Sequence, residues 1–207
     1  MLRIEKLVLG PLYTNTYIVY EQESKKAIII DPADSGEFIN SQILDKRLQP
    51  LAIISTHGHF DHVGAVLEVK LAFNLPFLAN EKDNFLIRQA LDSSLFFSKN
   101  NIFKLPLPDK NLKNRDRIRI GSSYLEVLET PGHTPGSISL ISPKIAFVGD
   151  LMFSGGTFGR DDFSYSDKKL LGLSVRKIEC LPRGTTIYPG HGEVFKLRSS
   201  SNKNRYC

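Results

Sequence analysis

The chain carries five histidines, and all of them stand in glycine-bearing turns that close apolar runs. Three lie in Thr56-His57-Gly58-His59-Phe60-Asp61-His62, directly after Leu51 to Ser55 and directly before a helical pattern. The fourth is His133 in Thr130-Pro131-Gly132-His133-Thr134-Pro135-Gly136, and the fifth is His191 in Tyr188-Pro189-Gly190-His191-Gly192. Imidazole nitrogens and carboxylate oxygens suit zinc, iron and manganese, provided a rigid scaffold aims them at one point. In an extended segment residues i and i+2 project to the same side, so His57 and His59 can chelate one ion. Asp61 and His62, where the chain turns into a helix, can be redirected toward a second. Asp150 in Phe147-Val148-Gly149-Asp150 adds a carboxylate at the mouth of another apolar strand, and its two oxygens can bridge two cations. Singly, each residue has an ordinary alternative as a satisfied histidine or a turn aspartate. Together, His-x-His-x-Asp-His is a specific metal motif.

The rest of the chain supplies the strands and helices such a site needs. Leu2 to Leu9, Thr16 to Tyr20 and Ala27 to Ile30 are short, β-branched or aromatic, and separated by turn residues, which predicts an opening β-meander. Phe38, Ile39, Ile43, Leu44 and Leu48 have helical spacing over 35–47, with Ser35 as the expected N-cap, and Leu51 to Ser55 is a strand. Helices are predicted from Val63 to Phe73 and from Glu81 to Leu91, with a short strand at Pro76 to Ala79 between them, while Leu95 to Asn114 reads as an irregular, lid-like stretch. Strands return at 117–120, 124–128, 137–141 and 145–148, followed by a helix over 167–180 and a last strand at 185–188. Strands alternating with helices in two successive halves predict a layered α/β domain spanning the whole chain, with a polar tail over about 196–207.

With 207 residues, the chain has room for one well-buried core and is too short for two ordinary domains. Its net charge of +5 favours anionic ligands only mildly. Two cysteines, Cys180 and Cys207, make no disulfide framework, the first residues are charged where a secretory segment would be apolar, and no long apolar run occurs. The expectation is a cytoplasmic protein that does not enter membranes; its oligomeric state is left open.

In order along the chain, Asn15 and Tyr17, Ile29-Ile30-Asp31-Pro32, the His57 to His62 motif, Pro131-Gly132-His133-Thr134-Pro135-Gly136-Ser137, Val148-Gly149-Asp150, Gly159-Arg160-Asp161-Asp162 and Tyr188-Pro189-Gly190-His191-Gly192 resemble the metallo-β-lactamase superfamily, and within it the short glyoxalase II-like hydrolases. The resemblance implies a four-layer αββα sandwich with two divalent cations at one edge, most simply zinc, with iron or manganese as alternatives. It assigns one metal to His57, His59 and His133, the other to Asp61, His62 and His191, and a bridging place to Asp150. Flavo-diiron proteins are similar but have Glu at the place of His59, and the best-known β-lactamases lack either a His at 62 or an Asp at 150.

A water shared by two cations has its pKa lowered to about 7 and becomes a nucleophile, with Asp61 and Asp150 the carboxylates closest to the chemistry. A thiolate leaves with little help from a proton donor, whereas an amine does not, so the expected activity is hydrolysis of small acyl thioesters such as S-lactoylglutathione. Arg160 is the expected anion clamp, with a salt bridge to Asp161, Asp162 or Asp167 as its alternative. Phe158 and Tyr165, with Tyr13 and Phe60, are candidates to line the pocket, an ordinary core or rim role being the simpler reading for any one of them, and Asp31 is a candidate to orient a ligand histidine, with an Asp-Pro turn as its alternative. The chain departs from long glyoxalase II enzymes in lacking both their C-terminal helical region and the tyrosine of their glutathione-holding lysine and tyrosine pair. Gly159 to Phe163 also resembles persulfide dioxygenases, which use one iron on the positions of His57, His133 and Asp150. A nuclease or lactonase of the same superfamily is a weaker alternative, and no nucleic-acid partner is expected.

Overall fold

Apolar side chains alternate between the two faces of most strands, and this alternation builds three separate cores. The computed structural model describes residues 1–99 and 102–197, so Cys207 and most of the expected polar tail lie outside the described residues. One six-stranded sheet has the order β1 (Leu2–Leu9), β2 (Thr14–Glu21), β3 (Lys26–Ile30), β4 (Gln49–Ile54), β5 (Phe77–Ala79), β6 (Lys110–Asn111). The other comprises β7 (Arg117–Ile120), β8 (Ser123–Glu129), β9 (Ile138–Ser142), β10 (Ile145–Gly149), β11 (Thr186–Pro189) and β12 (Phe195–Lys196), ordered β12-β11-β10-β9-β8-β7. Among the described residues five α-helices cover the outer faces: α1 (Gly36–Asp45), α2 (Phe60–Val63), α3 (Val66–Phe73), α4 (Asn84–Ser98) and α5 (Lys168–Glu179).

Tyr17, Ile28 and Ile54 from the first sheet meet Leu125, Leu140 and Phe147 from the second in a core between the sheets. Their neighbours along the strands, Ile18, Ile29 and Ile53, face outward onto Ile39 and Ile43 of α1, Val66 and Val69 of α3 and Ile87 of α4. On the far side, Ala146, Val148 and Ile187 pack against Leu171, Val175 and Ile178 of α5. Three cores divide four layers, the αββα sandwich expected from the alternation of strands and helices.

Strand direction places the site. β3, β4 and β5 run parallel, as do β10 and β11, so the carboxyl ends of β3, β4, β10 and β11 open toward one edge of the sandwich. Their next residues are Asp31, the His57 loop, Asp150 and the His191 loop. Parallel sheets put ligand-binding residues at these ends because the connections leave them there.

Three local expectations need correction. Ser35 does not cap α1: its φ of 53° is left-handed and its side chain makes no cap bond to the helix, because its hydroxyl donates to Asp34 Oδ1 at 2.9 Å. α4 runs on to Ser98 through part of the stretch expected to be irregular. Leu86, Ile87 and Ala90 bury one face in register, and the solvent-facing run Leu95-Phe96-Phe97 hides the continuation from any periodicity test. Residues 81–83 form a separate 3-10 turn, with the Asn80 side chain accepting from Lys82 N. β6 and β12 are two-residue edge pairings, too short and polar to be read from sequence.

Candidate metal centre

Four loops converge at the open edge. His57 and His59 follow β4, His62 sits in the single turn of α2, His133 lies in the turn between β8 and β9, and His191 follows β11. His57 Nε2 is 3.1 Å from His59 Nδ1, and His133 Nε2 is 3.0 Å from the same atom. Three nitrogens around a tetrahedral ion bonded at about 2.0–2.1 Å would stand roughly 3.3 Å apart, so the spacing is that of a ligand cage. A second group is formed by Asp61, His62 and His191, with His191 Nε2 3.3 Å and His62 Nε2 3.6 Å from Asp61 Oδ2. Asp150 stands between the groups: its Oδ2 is 3.7 Å from His133 Nε2 and 3.6 Å from His191 Nε2, and its Oδ1 is 3.4 Å from His62 Nε2.

The outward ring atoms explain why the inward ones carry lone pairs. The Nδ1 atoms of His133 and His191 face the carbonyls of Arg160 and Leu12 at 2.8 and 3.1 Å, and a carbonyl only accepts. His62 Nδ1 donates to Asp31 Oδ2 at 3.0 Å. His57 Nδ1 meets Thr56 Oγ1 at 3.1 Å, whose own proton goes to Asp31 Oδ2. His59 is reversed: its Nε2 meets the Tyr165 hydroxyl at 2.8 Å, leaving Nδ1 inward. Fixing the outer nitrogen in this way sets tautomer and ring orientation.

Charge fits the same pattern. Burial, reinforced by His62 and His59, holds His57 well below the ordinary imidazole range, and burial with His133 pushes His59 down to about 3. Two neutral rings thus turn lone pairs on one point, which is favourable only around a cation. At the second group burial opposes charge on His62, but the Asp61, Asp150 and Asp31 carboxylates outweigh it and hold the ring well above its usual range, so that a proton on Nε2 stands where a cation would displace it. Asp150 stays ionised because His62 and His191 overcome the cost of burial. His62 Nε2 and Asp150 Oδ1 are both buried without a hydrogen-bond partner. Orphaned buried atoms of this kind are costly, and a divalent cation would satisfy both. The donor set therefore fits a di-metal site.

Asp31 answers its expectation: it is buried, in a left-handed conformation at φ 50°, and its carboxylate binds Thr56 N, Thr56 Oγ1 and His62 Nδ1. Asn15 Nδ2 donates to the carbonyls of Pro189 and Gly192, and the Tyr17 hydroxyl to that of Pro189, which ties β2 to the His191 loop across the sandwich. Gly190 must lack a side chain, since a Cβ there would lie 2.2 Å from Asp150 Oδ1 and 2.6 Å from His62 Cε1.

Asp83 carries no sequence signal and is central to the geometry. It is 1 % exposed; its Oδ2 accepts from Gly58 N at 2.9 Å and Thr134 Oγ1 at 2.6 Å, and its Oδ1 from Gly136 N at 2.6 Å. One carboxylate thus clasps the loop of His57 and His59 to the loop of His133. Burial pushes its carboxyl up, opposed by those same donors.

Above the donors lies a cleft of about 660 Å³. Phe158, Tyr165 and Phe60 line it as expected; Tyr13 does not, and its neighbour Leu12 takes the place. Tyr13 sits at a left-handed turn, φ 55°, and is 74 % exposed. Arg160 also lines the cleft, with its Nε and Nη2 donating to Asp162 at 2.9 and 2.8 Å and its guanidinium lying over the Phe163 ring at 4.3 Å. Of the three aspartates considered for it, Asp162 is the partner. Among the described residues no helix is long and apolar enough to cross a membrane.

A family profile described as the metallo-beta-lactamase superfamily matches residues 9–191. The hydroxyacylglutathione hydrolase GloC of Haemophilus influenzae is 33% identical over 210 residues, covering 99% of this chain and 98% of that protein. Among solved structures, the BLEG-1 B3 metallo-beta-lactamase superposes with a TM-score of 0.86 at 34% identity, covering 94% of each chain. The di-iron-bound form of TTHA1623 gives a TM-score of 0.86 at 35% identity, covering 98% of this chain and all of that one.

Proposed function

This chain belongs to the metallo-β-lactamase superfamily, and from that premise we propose that it is a binuclear hydrolase of small acyl thioesters, of which S-lactoylglutathione is representative. The observation that carries the reading is the pair of donor groups joined by Asp150 at the floor of an apolar cleft. In this reading His57, His59 and His133 would hold one divalent cation, Asp61, His62 and His191 would hold the other, and Asp150 would serve both. Zinc suits the nitrogen and oxygen donors, with iron or manganese as alternatives. When bound, the cations supply a nucleophilic water at neutral pH and polarise the scissile carbonyl.

The protein's own residues do the rest. Asp31 and the Arg160 and Leu12 carbonyls keep the ring nitrogens aimed inward. Arg160, Phe158 and Tyr165 contact the substrate at the rim. Tyr165 is a poor general acid: burial raises its hydroxyl to about 12. Arg160, the other donor at the rim, is a cation that does not give up its proton. A cleft so furnished favours a leaving group that departs as an anion, and a thiolate does. Similarity to a hydroxyacylglutathione hydrolase over nearly the full length of both proteins supports this reading. In this reading the substrate is a small molecule, no nucleic-acid partner is invoked, and a cytoplasmic location is proposed because two cysteines make no disulfide framework.

The test is metal content by mass spectrometry on purified protein, followed by assays with S-lactoylglutathione and glutathione persulfide. Two metals per chain with thiol release are expected. One iron per chain with oxygen consumption on the persulfide would replace this reading with a dioxygenase.

A further inference from the structure

The cleft walls are chemically lopsided. Phe163 stands 5.3 Å from the His59 ring and stacks on Tyr165 at 5.2 Å, beside the first donor group. Phe153 stands 6.2 Å from the His191 ring, beside the second. Phe60 lies parallel to Phe97 of α4, with centroids 6.2 Å apart and planes 3° apart. Apart from the histidines, Arg160 is the one cationic residue lining the cleft among the described residues, and its charge is matched by Asp162. A carbonyl lying over the donors would therefore have aromatic surface on both flanks and little unpaired positive charge for a carboxylate-rich carrier.

Resting on the thioester reading, we propose that this cleft selects thioesters that carry an apolar alkyl or aryl group, on the acyl or the thiol side, over those with a small hydroxyacyl group. A lactoyl group would leave the aromatic walls wetted, whereas each methylene laid on them gains roughly fourfold in binding. Phe97 is the natural probe because it is 58 % exposed at the end of α4, so its truncation removes wall without opening a core.

The experiment compares kcat/KM of the metal-loaded protein on acetyl, lactoyl and hexanoyl thioesters of N-acetylcysteamine, and on S-benzyl thioacetate. At least a tenfold preference for the hexanoyl or the benzyl compound over the acetyl reference is expected, roughly the scale on which apolar pockets discriminate; whichever wins identifies the side. Phe97→Ala should shrink that ratio. A lactoyl substrate equal to or better than both apolar ones overturns the inference while leaving thioester hydrolysis intact. Calorimetry with S-hexylglutathione against S-methylglutathione reads the wall without turnover: tighter hexyl binding that weakens in Phe97→Ala supports it, and equal binding refutes it. Apolar binding with no thioester cleaved would strike the thioester reading and leave the wall's preference standing.

Discussion

Replacing Asp83 separates positioning from ligation, because its carboxylate bonds to Gly58 N, Thr134 Oγ1 and Gly136 N rather than to a proposed metal ligand side chain, and joins the loops that carry three of them. Asp83→Ala removes three hydrogen bonds to a buried carboxyl group and strands Gly58 N and Gly136 N without acceptors. Bonds to a charged acceptor contribute about 1.5–3 kcal/mol each, and a stranded buried donor costs about 1–3 kcal/mol. The relieved desolvation of the carboxylate offsets part of this, since burial raises its pKa. The net expectation is a loss of about 3–5 kcal/mol, or roughly 10 °C in melting temperature for a chain of this size. Asp83→Asn preserves shape and one accepting oxygen but turns an NH2 toward a donor, so about half that loss is expected. In both variants one metal should bind on the order of 10–100-fold more weakly than in the parent, as for other residues that orient ligands. The assays are thermal melts of the metal-free and metal-loaded protein and zinc titration by calorimetry. A stability loss below about 1 kcal/mol in Asp83→Ala, or unchanged affinity for both metals, would refute the clasp.

Asp150→Ala should abolish activity and lower metal content measured by mass spectrometry; near-normal turnover would refute its proposed bridging role. Asp31→Ala leaves His62 Nδ1 and Thr56 N without their acceptor, so zinc affinity by titration should fall about 10–100-fold with the fold retained by circular dichroism. Glu21 accepts from the side chain of Ser122, from that of Ser24 and from Ser122 N, bonds that lower its carboxyl from 4.5 to about 2. A depressed carboxyl adds stability that is present above its unfolded pKa and disappears as pH falls through the folded one. Glu21→Gln should therefore melt lower than the parent above pH 4.5, with the two curves meeting near pH 2.

Much of the candidate site was legible because its donor residues are marked by local chemistry. His57, His59, Asp61 and His62 lie within six consecutive residues, and His133, Asp150 and His191 each follow or adjoin a strand end. The misread places share a cause. Ser35 looks like a helix cap, but Asp34 competes for its hydroxyl. Tyr13 looks like a pocket aromatic, but the left-handed turn at that residue sends Leu12 to the cleft instead. Both outcomes depend on backbone dihedrals that side-chain identity does not report.

What the sequence determined by itself was periodicity and inventory: alternating strands that demand covered faces, and donors placed where those strands stop. Only the folded chain decided which donors meet, since His59 and His133 are 74 residues apart and Asn15 and Pro189 are 174 apart. It also decided that Asp83 joins two loops from positions 25 and 53 residues away. The physical reason is that a hydrogen bond or a shared cation depends on three-dimensional distance and direction, while a sequence pattern reports only which face of its own strand or helix a residue occupies.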